Sequence, residues 1–309
     1  MVKQFIQSVN NIFQSLFQRI DNLSEAKYGY LLVSPSIILL SLIVVMPVGY
    51  VVYLSFCEFD ITMTPTFVGL QNYTAILHNS TFYLYLKHSG EYVLIGIGSA
   101  FLGALIIALA LNEITRYTGL FRTFNLWPWG IPPVVATLMW KWILNDTNGV
   151  LNQILVSAGI LRRPVAWLSS PSFTMEVLAL VHAWTVIPFI MVILLAGLQS
   201  VPDELYEASA IDGASVIDRF RYITFQFLKP AMMSSLMIAT IFAFRTFDIV
   251  FTLTGGGPGE STEMMVTYIY EKAFRELQLG YASALSVIMV IISFGIVAFF
   301  TYIFRTETE

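Results

Sequence analysis

The sequence predicts an all-α integral membrane protein, with six transmembrane helices, an N-terminal amphipathic interfacial helix and a pair of short helices in one polar loop. Three observations predict it. Apolar residues make up 57% of the 309-residue chain and charged residues 12%, about half the charge of an ordinary soluble domain, so a water-facing surface could not be covered. Six apolar blocks, near residues 31–56, 91–112, 124–144, 174–198, 231–253 and 281–304, are each long enough at ~1.5 Å per residue to cross ~30 Å of hydrocarbon. The polar stretch 199–230, between the fourth and fifth blocks, carries helix-capping signals of its own.

Residues 2–23 place Val2, Phe5, Ile6, Val9, Ile12, Phe13, Leu16, Phe17, Ile20 and Leu23 at three- and four-residue steps on a polar background. That spacing makes one apolar helix face, suited to a membrane interface or a partner helix and too amphipathic to span. Residues 1–27 are therefore expected to stand apart from a transmembrane domain at 28–309. They do not read as a signal peptide, because the apolar run behind them is longer than an h-region and lacks a convincing cleavage site. A single cysteine, Cys57, excludes an internal disulfide. The net charge of −4 is small, and no basic stripe suited to nucleic acid is present.

The second block carries Gly96 with Ala100 and Ser99 with Gly103 at four-residue spacing, small residues that let a neighbouring helix approach closely. In the third, Pro128, Pro132 and Pro133 interrupt the run, with Trp127, Trp129, Trp140 and Trp142 near its ends, where interfacial aromatics sit. A span broken in this way must be shielded by protein or line a cavity, since freed backbone groups cannot face lipid. With the N-terminus inside, Lys3, Arg19, Lys27, Arg116, Arg122, Arg219, Arg221, Lys229 and Arg305 fall on the cytoplasmic side, against Lys87, Arg162, Arg163, Lys272 and Arg275 outside. This bias places both termini and residues 199–230 in the cytoplasm.

Within 199–230, Ser200-Val201-Pro202-Asp203 reads as a capping box opening a helix from about Val201 to Ile211. Asp212-Gly213 then supplies a turn, because glycine takes positive φ at a helix C-terminus without a Cβ clash. Ser215-Val216-Ile217-Asp218 repeats the box and starts a second short helix at an angle to the first. The run Glu207-Ala208-x-x-x-Asp212-Gly213-Ala214, with Ile223 ten residues after the glycine and Pro230 closing the block, resembles the cytoplasmic "EAA" loop of ABC importer permeases. The carbohydrate-uptake branch, with its maltose-type and glycerol-3-phosphate-type permeases, is the nearest resemblance. That motif usually continues Ile-x-Leu-Pro, whereas this chain reads Ile223-Thr224-Phe225-Gln226. Phe67-Val68-Gly69-Leu70-Gln71-Asn72-Tyr73, Phe121-Arg122-Thr123 and Leu253-Thr254-Gly255-Gly256-Gly257-Pro258-Gly259 resemble the same family, in the same order along the chain.

The resemblance implies a permease subunit, not an enzyme, working in the inner membrane with several partners. These are a second homologous permease subunit, two ATPase subunits, identical or different, that hold the ATP and Mg, and an extracytoplasmic solute-binding protein. It also implies that Glu207, Ala208, Asp212, Gly213, Ala214, Ile223 and Pro230 couple ATP hydrolysis to a sugar or sugar-like polyol path. The residues agree in what they lack. The 255–259 glycine run has no following Lys-Ser/Thr to cradle phosphate. His78, His88 and His182 have no metal-ligand spacing, and no nucleophile-base pair stands out.

For the solute path the exceptions inside the apolar blocks are informative. Arg245 and Asp248, three residues apart in the fifth block, would share a helix face, either as a neutralising pair holding helices together or as a border of the path. His182, Thr185 and Phe189 fall on one stripe of the fourth block, a polar-aromatic combination that suits sugar hydroxyls and C–H faces and that also occurs in plain helix packing. An ion-coupled secondary carrier using Arg245 and Asp248, or an assembly subunit carrying no solute, are the alternatives. A gradient-driven carrier has no need of a cytoplasmic knob for an ATPase.

Overall fold

The computed structural model describes residues 24–59, 64–113 and 118–303, so the amphipathic stripe expected at 2–23 lies outside the described residues. The chain forms two units, divided after Leu54. In the first, helices α1 (Glu25–Leu40) and α2 (Met46–Leu54) join through a π-helical turn at Ser41–Val45. Together they make one apolar rod, Ala26–Leu54, long enough to cross a membrane.

The second unit opens with a hairpin, β1 (Cys57–Phe59) antiparallel to β2 (Pro65–Phe67), with Cys57 opposite Phe67. Helix α3 (Gln71–Leu77) follows, then α4 (Ser80–Glu113). The Gly69-Leu70-Gln71-Asn72 stretch has a structural purpose: Gly69 turns the chain at φ +62°, and Asn72 Nδ2 donates to the carbonyls of Ser55 at 3.0 Å and Cys57 at 2.9 Å. These bonds tie α3 to the backbone at the start of the hairpin.

The core is built on α4 and α8 (Thr174–Leu198), which pack along much of their length. Gly96, Ala100, Ala104 and Ala108 form a buried row on α4. A Cβ added at Gly96 would stand 3.2 Å from the Ala179 carbonyl oxygen, and one at Gly103 would stand 3.1 Å from Ile187 Cδ1. The small-residue spacing thus brings two backbones together, where van der Waals contact replaces the missing hydrophobic drive between membrane helices. Gly96→Val is expected to lower the amount of folded complex, at an overpacking cost of about 1–3 kcal/mol. Gly98→Val, with nothing within 4 Å of its added Cβ, is expected to match wild type; equal yields of the two variants in detergent extracts would contradict this.

The third apolar block does not form one span. It splits into α5 (Thr118–Gly130) and α6 (Pro133–Ile143), parted at Ile131-Pro132, with Pro128 inside α5 and Pro133 in the first turn of α6. The prolines remove backbone donors and prevent a single rod. Among the described residues, five helices are long and apolar enough to cross a membrane: Ala26–Leu54, Ser80–Glu113, Thr174–Leu198, Val216–Phe244 and Leu279–Ile303. Between α6 and α8, helix α7 (Val150–Ser157) holds buried Asn152. Its amide accepts from Val165 N (3.0 Å) and Trp167 Nε1 (2.9 Å) and donates to Val165 O (2.9 Å), folding the connecting segment back on α7.

The polar loop gives helix α9 (Asp203–Ile211) and helix α10 (Val216–Arg219). Two local expectations are corrected. Ser200 Oγ donates to Gly197 O at 2.7 Å instead of capping α9; Pro202 holds the cap position, and Asp203 and Glu204 supply negative charge to the first turn. The second short helix is not separate, because α10 continues through a π turn (Phe220–Thr224) into α11 (Phe225–Phe244). The rod Val216–Phe244 is continuous, with Pro230 inside it.

The fifth block is also cut. Helix α11 ends at Phe244, and α12 (Asp248–Leu253) begins after three residues. The glycine loop follows, with Gly255, Gly256 and Gly259 at positive φ, then α13 (Met265–Tyr270), a π turn (Glu271–Arg275) and α14 (Leu279–Ile303). Thr267 Oγ1 donates to the Glu263 carboxylate at 2.5 Å and accepts from Met264 N at 2.9 Å. Burial of Glu263 raises its carboxyl pKa above the usual range.

Candidate functional site

A cavity of about 510 Å³ lies where α5, α6, α8 and the break between α11 and α12 meet. The interruptions that cost the sequence two regular spans are its walls: Pro128, Trp129, Ile131 and Pro133 on one side, and Phe242 and Arg245 through Ile249 on another. Irregular backbone at membrane depth is tolerated where it borders such a space. Four of the five path residues expected from the sequence, His182, Thr185, Arg245 and Asp248, line it together. The fifth, Phe189, is not among the lining residues. Its ring packs against Trp129 and Phe242, at centroid distances of 6.3 and 6.5 Å.

The expected Arg245–Asp248 ion pair is absent. Among the described residues the ion pairs are Lys87–Glu91, Lys272–Glu276 and Arg275–Glu271. Arg245 caps α11 in a non-helical conformation and Asp248 opens α12, so the spacing rule for one continuous helix no longer applies. Both side chains are exposed to the cavity side of the break.

His182 is 3% exposed. Its Nδ1 lies 2.7 Å from the Tyr92 hydroxyl, with the two rings edge to face, while Nε2 has no hydrogen-bond partner among the described residues. An orphaned buried nitrogen is costly unless something supplies a partner. Thr185 Oγ1 donates to His182 O at 2.7 Å, which leaves its lone pairs to accept. The cavity therefore offers guanidinium donors, carboxylate acceptors, an imidazole and the faces of Trp129 and Phe242. This set matches a molecule with many hydroxyls and C–H faces. Phe242, Phe247 and Tyr92 were not singled out from the sequence, and Trp129 was read there as an interfacial aromatic; the signal for its place in the cavity wall was its position beside the helix-breaking prolines.

The second feature is the knob between α8 and α11. Gly213 has φ +74°; its N–H donates to Ala210 O at 3.2 Å and that of Ala214 to Ser209 O at 2.9 Å, closing the end of α9. Asp212 N–H bonds to Ala208 O at 3.1 Å. The Ser215 capping box is formed with Asp218. Arg219 Nε donates to Ala214 O at 3.2 Å, and the Tyr206 and Thr224 hydroxyls lie 2.9 Å apart, so α9 is tied to the base of α11. Glu207, Ala208, Asp212 and Gly213 are exposed, Ala214 and Ile223 are half-buried, and Pro230 sits inside α11. Ile211, Val216 and Ile217 are 87%, 79% and 77% exposed. A cluster of bare aliphatic side chains on a braced turn marks an interaction surface.

Residues 11–306 match the model of the family described as binding-protein-dependent transport system inner membrane component. The chain is 36% identical over 288 residues to the sulfoquinovosyl glycerol transport system permease protein of Agrobacterium fabrum, covering 93% of each chain. It is 35% identical over 295 residues to the trehalose/maltose transport system permease protein of Thermococcus litoralis, covering 93% of this chain and 96% of that one. Its fold is like that of a chain in the crystal structure of a bacterial alginate ABC transporter in complex with an alginate pentasaccharide-bound periplasmic protein. That likeness has a TM-score of 0.77 at 20% identity, over 89% of this chain and 93% of the other.

Proposed function

We propose, because this chain belongs to the family of binding-protein-dependent transport system inner membrane components, that its cavity carries a sugar or sugar-like polyol across the membrane. The chain is a permease subunit of an ABC importer and is not itself an enzyme. The observation that carries the reading is the arrangement on α8 and α11. The braced knob joins one end of both helices, and the cavity residues lie further along them, His182 being about 24 Å from the end of α8 at ~1.5 Å per residue. A push on the knob is then a push on the cavity walls.

In this reading α5 and α6 together make a sixth crossing, both termini are cytoplasmic, and α9 with the start of α10 docks on an ATPase subunit. ATP and Mg belong to two such subunits, a second homologous permease completes the pore, and an extracytoplasmic solute-binding protein delivers the solute. Closure of the ATPase pair, transmitted through Glu207 to Gly213, turns the cavity from outward-facing to inward-facing. In vesicles of the complete complex, uptake is expected to survive collapse of ion gradients when ATP is enclosed, and to stop when the ATPase has a dead catalytic site. Uptake that follows a proton or sodium gradient without ATP would replace this reading with an ion-coupled carrier. A panel of labelled mono- and disaccharides, polyols and glycerol phosphates identifies the solute.

A further inference from the structure

Tyr92 lies on α4, is 1% exposed and is not among the residues that line the solute cavity. The close approach of α4 and α8 at Gly96 and Ala179 brings its hydroxyl to 2.7 Å from Nδ1 of His182, which does line the cavity. The two rings meet edge to face, with centroids 5.3 Å apart and an interplanar angle of 88°. Phenylalanine would serve that packing alone; the hydroxyl adds a buried polar group that has to be paired.

A neutral imidazole carries one proton, on Nδ1 or on Nε2. Among the described residues the Tyr92 hydroxyl has no hydrogen-bond partner besides His182, and His182 Nε2 has none. With the proton on Nδ1, the imidazole would donate to Tyr92, and both the phenolic proton and the Nε2 lone pair would be left buried and unpaired. With the proton on Nε2, Tyr92 Oη donates to Nδ1, and one group is left over, the Nε2 N–H. A doubly protonated ring would strand the phenolic proton as well and bury a charge that has no ion-pair partner among the described residues. Each buried group left unpaired is costly, so the fold selects the second arrangement. His78 and His88 differ: their Nδ1 atoms lie 2.8 and 2.9 Å from the backbone carbonyls of Thr74 and Glu263, which only accept, so both carry a proton on Nδ1.

We infer that Tyr92 is a positioning residue of the solute cavity: its hydroxyl fixes His182 as the tautomer protonated at Nε2, so that the imidazole meets the solute as a hydrogen-bond donor. Because the described residues supply no acceptor for that N–H, the acceptor comes from the cavity that His182 borders. A sugar hydroxyl or ring oxygen fits there, whereas a group that only donates, such as an ammonium, finds no partner. The inference rests on the importer reading and adds to it a residue outside the cavity that sets the hydrogen-bonding sense of one inside it.

The test uses the complete importer in lipid nanodiscs with isotope-labelled histidine, read by nitrogen magnetic resonance; the His182 signals are those missing from His182→Gln. In the wild type they are expected to show a proton on Nε2 and none on Nδ1, and in Tyr92→Phe, which keeps the ring packing, a mixture of both tautomers. Uptake is followed with whichever labelled saccharide of the panel above is transported. Tyr92→Phe is expected to raise its half-saturating concentration about tenfold, the loss of one hydrogen bond, with maximal uptake per assembled complex within about twofold of wild type. The amide of His182→Gln places a donor near the former Nε2 without needing Tyr92, so adding Tyr92→Phe to it is expected to change nothing further. A proton on Nδ1 of His182 in the wild type overturns the inference, and this measurement decides even where a variant fails to assemble. Unchanged half-saturation in Tyr92→Phe overturns it too, since the hydroxyl would then only hold α4 to α8 and the N–H would belong to a bound water. A wild-type complex that carries the Nε2 proton and transports no saccharide of the panel would instead overturn the sugar reading of the cavity.

Discussion

Gly213→Val is expected to leave the subunit folded, inserted and assembled with its permease partner, and to abolish transport. The residue sits at φ +74° with open space around the position of a Cβ, so the substitution creates no clash with neighbouring elements. Its cost is the backbone conformation, about 1–3 kcal/mol for a β-branched residue in that region, concentrated on the turn that sets the angle between α9 and α10. The turn relieves the strain by moving, and the exposed Ile211 and Val216 on either side move with it. The reading above then predicts a docking surface of the wrong shape, so that the ATPase subunits bind poorly or hydrolyse ATP without transport. Gly213→Asn is the informative companion, because asparagine tolerates the left-handed region far better, and it is expected to keep most of the uptake. Solute uptake and stimulated ATPase activity at wild-type levels in Gly213→Val would remove this turn from the coupling path.

That glycine was legible in the sequence because a turn between two helix signals leaves few alternatives. The same holds for the Ser215 box, for the 174–198 helix, and for the small-residue row that brings α4 onto α8. What was not legible has a common physical cause: hydropathy reports how apolar a stretch is, and not whether its backbone is continuous. Residues 124–144 and 231–253 are both apolar enough to span, yet the prolines divide the first and a three-residue break divides the second. In compensation, the polar residues from Val216 onward join α11 and lengthen it at its other end. The spacing argument that paired Arg245 with Asp248 assumed an unbroken helix and failed with it. The stripe argument that grouped His182, Thr185 and Phe189 rested on α8, which is helical throughout; His182 and Thr185 line the cavity and Phe189 does not. Asn152 and Tyr92 carry no sequence signal, because their importance lies in partners distant in sequence.

The break in the fifth block sharpens the test of Arg245 and Asp248. Were they a neutralising pair, removing one would strand the other in a dry environment, and removing both would restore the complex. They are not paired, and both border the cavity, so the expectation is different. Arg245→Leu and Asp248→Leu are each expected to assemble near wild-type levels, and the double change is not expected to rescue either. The losses should appear in solute recognition. A charge-assisted hydrogen bond contributes about 1.5–3 kcal/mol, so each substitution is expected to weaken apparent solute affinity by about 10- to 100-fold, with ATPase coupling through the knob intact. The two effects need not be equal across solutes, because the guanidinium only donates and the carboxylate only accepts. An anionic solute should suffer more from Arg245→Leu, while Asp248→Leu should spare it or improve its uptake. Transport per assembled complex, measured for the two single variants and the double variant over several neutral and anionic sugars, separates these outcomes. Assembly lost in both single variants and regained in the double variant, with unchanged solute preference, would return the residues to a purely structural role.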